Sequence, residues 1–167
     1  MKAFVLLVLL LVIGIGVYVF SGAYDVSASN PDPALKRWLL STVSDASIQR
    51  HAKAVVVPTL GAPDQLALGF RHYDEMCSVC HGSPGAELSP LARGLNPRAP
   101  QFSKGTDLAP EELFWVTKHG IQMTGMPAWG PTHTDAEIWA IVAFVPKLEK
   151  MTRAQYETMR REQPPLH

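Results

Sequence analysis

Long runs of one charge are missing from this chain. Fifteen basic residues balance fifteen acidic ones across 167 positions, so there is neither a basic field for nucleic acid nor an acidic tail. Cysteine is nearly absent. The two present, Cys77 and Cys80, stand too close together to staple a fold, which excludes a disulfide framework. Strand-rich stretches and internal repeats are also lacking, so helices are the expectation.

What is present begins with a long apolar run. Ala3 to Phe20 carries no charge, and as a helix it would reach roughly 27 Å, close to the thickness of a bilayer core. Lys2 precedes it and Asp25 follows, a bias that keeps the N-terminus in the cytoplasm and exports the rest. Residues 1–22 are therefore read as a transmembrane anchor or uncleaved signal. A cleaved signal peptide is the rival reading, although the run is longer than most signal cores and the small residues near Ala23 and Ser29 make a mediocre cleavage site.

Residues 23–63 read as linker and helical spacer. Ser, Asn, Asp and Pro crowd Ser21 to Pro33, and such a stretch has little preference for helix or strand. From Ala34 to Val57, Leu35, Trp38, Leu39, Val43 and Ile48 recur at helical spacing and predict one or two short helices. Two roles suit them: a stalk packed on the following domain, or a segment docking to the bilayer or a membrane partner. The run from Pro58 to Pro63 breaks the pattern and marks a boundary.

Residues 64–148 form the expected domain, followed by a polar tail over 149–167 that is helical as far as Pro164-Pro165. Asp64 to His81 reads as a helix ending at Cys77-Ser78-Val79-Cys80-His81, and the Gly/Pro-rich stretch to Gly105 reads as a wrapping loop. Pro110-Glu111-Glu112 opens a helix that Gly120 stops, with Ala109 an imperfect cap. Thr134-Asp135-Ala136-Glu137 is a capping box before an apolar helix that Pro146 kinks or ends. The aromatic residues Trp115, Trp129, Trp139 and Phe144 are expected in the core, with Trp129 also able to line an edge for electron entry. His51 and His72 are expected in solvent, and His119 at its helix end.

The Cys-x-x-Cys-His run carries the chemistry. Two thiols at this spacing reach two vinyl groups of one haem, and the next histidine turns toward the iron. Cys77, Cys80 and His81 are thus the candidate residues for a single covalent haem c, with His81 as the proximal iron ligand. Its other ring nitrogen should donate to a backbone carbonyl, with Pro97 and Pro100 as the available sources. A thioredoxin-like pair would need a strand-to-helix setting, and a zinc site would need further ligands at regular spacing. For the sixth iron position, Met126 in Thr124-Gly125-Met126-Pro127-Ala128-Trp129 competes with Met123. Pro127 extends the residue before it and Gly125 permits close approach, which favours Met126. His119 and His133 are the fallback ligands, while Met151 and Met159 sit in the polar tail.

Gly69-Phe70-Arg71-His72-Tyr73 before the cysteine motif, Gly120-Ile121 and the Met126-Pro127 loop occur in an order that resembles the class I cytochromes c. The resemblance covers Asp64 to Leu148 and implies an all-α fold, the small cytochrome c fold around one haem, here preceded by the transmembrane helix and spacer. It also implies that the first and last helices cross, Gly69 facing an aromatic such as Phe144 or Trp139. Residues 1–63 look like the anchor and spacer of tethered bacterial monohaem cytochromes. The expected role is a single-electron carrier rather than an enzyme, exchanging electrons with redox partner proteins or working in a membrane oxidoreductase complex of a respiratory or dehydrogenase chain. The resemblance places the haem domain in the periplasm or on the outer face of a bacterial inner membrane. A haem sensor or peroxidase would need an open sixth site, against which Met126 argues.

Overall fold

Apolar residues at helical spacing, punctuated by proline and glycine, produce helices joined by irregular loops; the computed structural model describes residues 1–163 and contains no strand among them. Two units divide the chain, Met1–Asn30 and the residues from Pro31 on. The expected helix end at Pro164-Pro165 lies outside the described residues.

In the first unit, helix α1 spans Lys2–Phe20, and none of its residues is buried. It is long and apolar enough to cross a membrane, with mean hydropathy 3.0. A signal sequence has the same length and composition. Beyond it, Asp25 is held below its usual carboxylate value by hydrogen bonds from Ser27 and then Asn30.

The second unit opens with α2, Ala34–Ala52. One or two short helices were expected; a single one forms, because neither glycine nor proline interrupts these residues. Its C-terminal half packs against α6, Pro110–His119, and buries Ile48 and Ala52.

Helix α3, Pro63–His72, starts with proline in its first turn and crosses α7, Asp135–Phe144. Gly69 makes the crossing possible: a Cβ there would lie 2.0 Å from the Ala140 carbonyl oxygen and 2.9 Å from Phe144 Cβ. The expected partner Phe144 is present, joined by the Ala140 backbone in place of Trp139. Phe70 meets Phe144 edge-on at 5.5 Å, and both rings are buried. Trp139 instead stacks on Phe114 at 4.2 Å.

The α7 capping box forms as read. Thr134 Oγ1 accepts from Glu137 N–H at 3.4 Å, and Glu137 Oε2 accepts from Thr134 N–H at 2.7 Å. At α6 only half of such a box exists, with the Ala109 N–H donating to Glu112 Oε2 at 2.8 Å. Past Phe144 the chain tightens into a 3₁₀ segment, Val145–Lys150, as proline at 146 removes a helical donor.

Polar composition conceals one further packed element. Helix α8, Arg153–Glu162, is capped by Thr152 and buries Tyr156 edge-on against Phe70 at 5.2 Å. The Tyr156 hydroxyl donates to Asp74 Oδ1 at 2.8 Å, and the Arg160 guanidinium grips both Asp74 oxygens.

Candidate functional site

The helix that begins at Pro63 continues as helix into the cysteine motif, but it widens on the way. Tyr73–Cys77 forms a π-helical turn, after which α4, Ser78–His81, closes on Gly82 at φ 74°. The extra residue in the wide turn resets the helical phase just before the motif. Tyr73, fully buried, donates its hydroxyl to the Gly82 carbonyl at 2.6 Å and so ties the start of the π turn to the end of the motif. Ser78 Oγ donates to the Asp74 carbonyl at 2.7 Å inside the same turn.

His81 is 8 % exposed. Its Nδ1 lies 2.8 Å from the Pro100 carbonyl oxygen; a carbonyl only accepts, so Nδ1 carries the proton and Nε2 keeps its lone pair. Of the two carbonyls anticipated, it is Pro100 that receives this bond. Phe102 stacks on the imidazole at 4.6 Å with the planes 19° apart, and it packs on the core from the 3₁₀ turn Phe102–Lys104. Burial lowers the His81 pKa, and the bond to Pro100 partly opposes this. The ring is held neutral, with one fixed tautomer.

Cys77 and Cys80 are both free thiols and both partly buried. Burial first, and Cys80 second, pushes the Cys77 thiol up to about 12. Such a thiol is not a redox-active thiolate. The donor set is two thiols and a neutral, oriented imidazole on one helical turn, which fits a covalent c-type haem and falls short of a closed zinc site. No cluster of three or more potential metal-ligating His, Cys, Asp or Glu residues occurs among the described residues.

The short helix α5, Pro90–Gly94, is docked on the motif by Ser89. Its hydroxyl accepts from Ala92 N–H at 3.0 Å and donates to the Val79 carbonyl at 2.5 Å. Sequence reading treated the whole region as a loop. Serine followed by proline is a helix-start signal that could have marked α5.

The loop after α6 presents the methionines. The Ile121 N–H donates to the Met126 carbonyl at 3.2 Å, Trp129 N–H to the Thr117 carbonyl at 3.1 Å and Gly130 N–H to the Lys118 carbonyl at 2.9 Å. Thr124 Oγ1 donates to the Ile121 carbonyl at 2.8 Å and accepts from Met126 N–H at 3.1 Å. Gly120, at φ 68°, lies under the loop, where a Cβ would come within 2.8 Å of Met126 O and 2.7 Å of Ala128 N. Gly125 is crowded too, since a Cβ would meet Leu95 Cδ2 at 2.6 Å. Met126 is half-buried, whereas Met123 is 87 % exposed and has φ 58°.

The histidines divide. His119 is exposed and sits tilted against half-buried Trp115 at 5.1 Å, and exposed His51 stacks on the same indole at 5.4 Å. His72 corrects the expectation of a solvated ring: it is only 4 % exposed. The reason is its place on α3, facing the start of α7. The His133 ring is 5.3 Å away, and Glu137 Oε1 lies 3.9 Å from Nε2, too far for a hydrogen bond. Neither ring nitrogen of His72 has a hydrogen-bond partner.

Residues 64–145 match the family model described as Cytochrome C oxidase, cbb3-type, subunit III. No curated protein matches the chain.

Proposed function

Because the chain carries a class I c-type cytochrome domain, with the covalently bound c-type haem this implies, we propose that it transfers single electrons through a haem held by Cys77, Cys80, His81 and Met126. The observation that carries this reading is the imidazole of His81, fixed by Pro100 at 2.8 Å on the same turn as two free cysteines. When bound, the haem supplies the Fe(III)/Fe(II) couple.

The chain's own residues do the rest. Cys77 and Cys80 hold the group through their sulfurs, and the buried Tyr73–Gly82 bond keeps the turn that carries them from unwinding. His81 offers Nε2 to the iron while Pro100 and Phe102 set the plane of its ring. Met126 offers a neutral thioether, which favours ferrous iron and raises the reduction potential relative to harder ligands. Its half-burial in a hydrogen-bonded loop supports it over Met123, which projects into solvent.

Residues 64–148 are the haem domain of this proposal, 23–63 its linker and spacer, and 149–167 its tail. Helix α1, within residues 1–22, is the single-pass anchor that holds the domain at the periplasmic or outer face of a bacterial inner membrane. The length and composition of α1 support the anchor. The matched family's description supports a place in, or beside, a membrane oxidase complex.

An absorption spectrum tests the ligation. Reduced protein should show sharp low-spin c-type bands and should not bind carbon monoxide; oxidised protein should show a weak near-infrared sulfur-to-iron band. Met126→Ala should abolish that band and Met123→Ala should leave it. Ready binding of carbon monoxide by the wild-type protein would overturn the closed sixth site. For the anchor, mass spectrometry of membrane-fraction protein should find the N-terminus intact, and a mature chain starting near Ala23 or Asn30 would sink it. Co-purification from native membranes identifies the redox partner.

A further inference from the structure

Helix α2 is apolar on two opposite sides, and the domain covers only one of them. Leu39 and Ile48 are nine residues apart, as are Val43 and Ala52; at about 100° per residue each pair points in opposite directions. Ile48 and Ala52 are buried against the domain. Leu35, Leu39 and Val43 are 73 %, 51 % and 59 % exposed, and Trp38 beside them is 62 % exposed. A continuous apolar stripe therefore faces away from α6 along the N-terminal half of the helix.

The charges say what kind of surface this stripe fits. Continued along the helix, the line Leu35, Leu39, Val43, Ala46 runs into exposed Arg50 and Lys53. Lys36 and Arg37 stand at the other end, Lys36 paired with Asp32 at 2.7 Å. Between residues 34 and 53 the only acid is Asp45. Pairing with a second copy is disfavoured in both directions: antiparallel stacking sets the apolar end against Arg50 and Lys53, and parallel stacking sets those cations against themselves. A surface that is apolar below and anionic above satisfies both parts of the stripe at once, with Trp38 at the boundary.

We propose that the exposed face of α2 lies in the interface of a bilayer containing anionic lipid, so that the haem domain is seated on the membrane and not merely leashed to it. The inference rests on the reading of α1 as an anchor for its proximity. Residues 21–33, at about 3.3–3.6 Å each, reach no more than roughly 45 Å.

The test uses the full-length holoprotein in vesicles of phosphatidylglycerol and phosphatidylethanolamine. The photoreactive amino acid p-benzoylphenylalanine is placed, one site at a time, at Ile13, Leu39 or Ser41, the last being exposed and about 200° round the helix from Leu39. Lipid adducts at position 39 should exceed those at position 41 by at least ten-fold. In a background of Leu39→Glu with Val43→Glu, the same probe at Leu35 should lose its lipid adducts while the haem spectrum is unchanged. Equal labelling at 39 and 41, or adducts at 39 to a second copy, would overturn the proposal. Labelling at 13 without labelling at 39 rejects the seated face and leaves the anchor standing; labelling at 39 without 13 rejects the anchor and keeps the seated face.

Discussion

The Cys77–His81 turn and the Ile121–Trp129 loop are built on opposite plans. The turn is fixed by side chains reaching out of the core: Tyr73 on Gly82, Phe102 on His81, and the imidazole itself on Pro100. The loop is fixed mainly by main-chain hydrogen bonds, one within it from Ile121 to Met126 and two that tie its end to α6, from Trp129 to Thr117 and from the following Gly130 to Lys118, over a glycine that leaves no room for a side chain. The turn therefore inherits its geometry from hydrophobic packing, and the loop takes its geometry from main-chain hydrogen bonds within itself and to α6. Damage to the core should be felt at His81, and damage to the loop should stay local to Met126.

The strongest way to break this contrast is Gly120→Ala. The added Cβ meets backbone at 2.7 Å and the φ of 68° suits only glycine, so overpacking and strain together should cost about 3 kcal/mol. Thermal denaturation should show the loss, and the near-infrared sulfur band should weaken while the turn around His81 is kept. On the other side, Tyr73→Phe leaves the Gly82 carbonyl without its buried donor and should cost about 1–2 kcal/mol. Here the sulfur band should survive. If Tyr73→Phe abolished the band and Gly120→Ala did not, the two plans would have been assigned to the wrong sides.

The same contrast explains what could be read from sequence. Caps, breakers and the cysteine motif are local: Thr134 with Glu137, Gly120 after His119 and Cys77 to His81 each carry their reason within a few residues. The crossing at Gly69 was anticipated only through the resemblance to the class I cytochromes c, because a glycine in a helical pattern reads equally well as a weak helix position until its neighbour is known. The π turn left no signature, since Tyr73–Cys77 differs from an ordinary helix only in hydrogen-bond register. Asp74 and Tyr156 meet across 82 positions, and apart from Tyr156 and Met159, which pack on the core, α8 is mostly polar, so composition described it as a tail. His72 was misread for a related reason: histidine is as much at home in solvent as inside, and only the crossing of α3 with α7 decides which.

That buried ring gives a pH test that neither plan predicts alone. Burial first, and then His133, lowers the His72 pKa; Glu137 and Glu75 oppose this and Arg71 reinforces it. The folded protein thus prefers the neutral ring, whereas the unfolded chain takes up a proton near the ordinary value of 6.5. The unfolded state binds more protons below that value, so stability should be complete above it and should fall as the pH drops toward 5. One proton limits the slope to about 1.4 kcal/mol per pH unit. Denaturant titrations of wild type and His72→Phe should diverge in their pH dependence, the variant being flatter. Parallel curves would mean that other groups carry the acid sensitivity.

The smallest effect concerns the clasp between α8 and the π turn. Arg160 holds both oxygens of Asp74, yet its side chain is 43 % exposed, and water and salt screen such a pair. Its guanidinium also lies 5.3 Å from the Tyr156 ring, and Tyr156 keeps its own bond to Asp74 when the arginine is removed. Arg160→Ala should therefore cost less than about 1 kcal/mol, and 0.5 M salt should shrink the difference from wild type. A loss above 2 kcal/mol that salt leaves unchanged would mean that α8 braces the cysteine turn through this pair, and the turn would then owe its shape to the C-terminal helix as well as to the core beneath it.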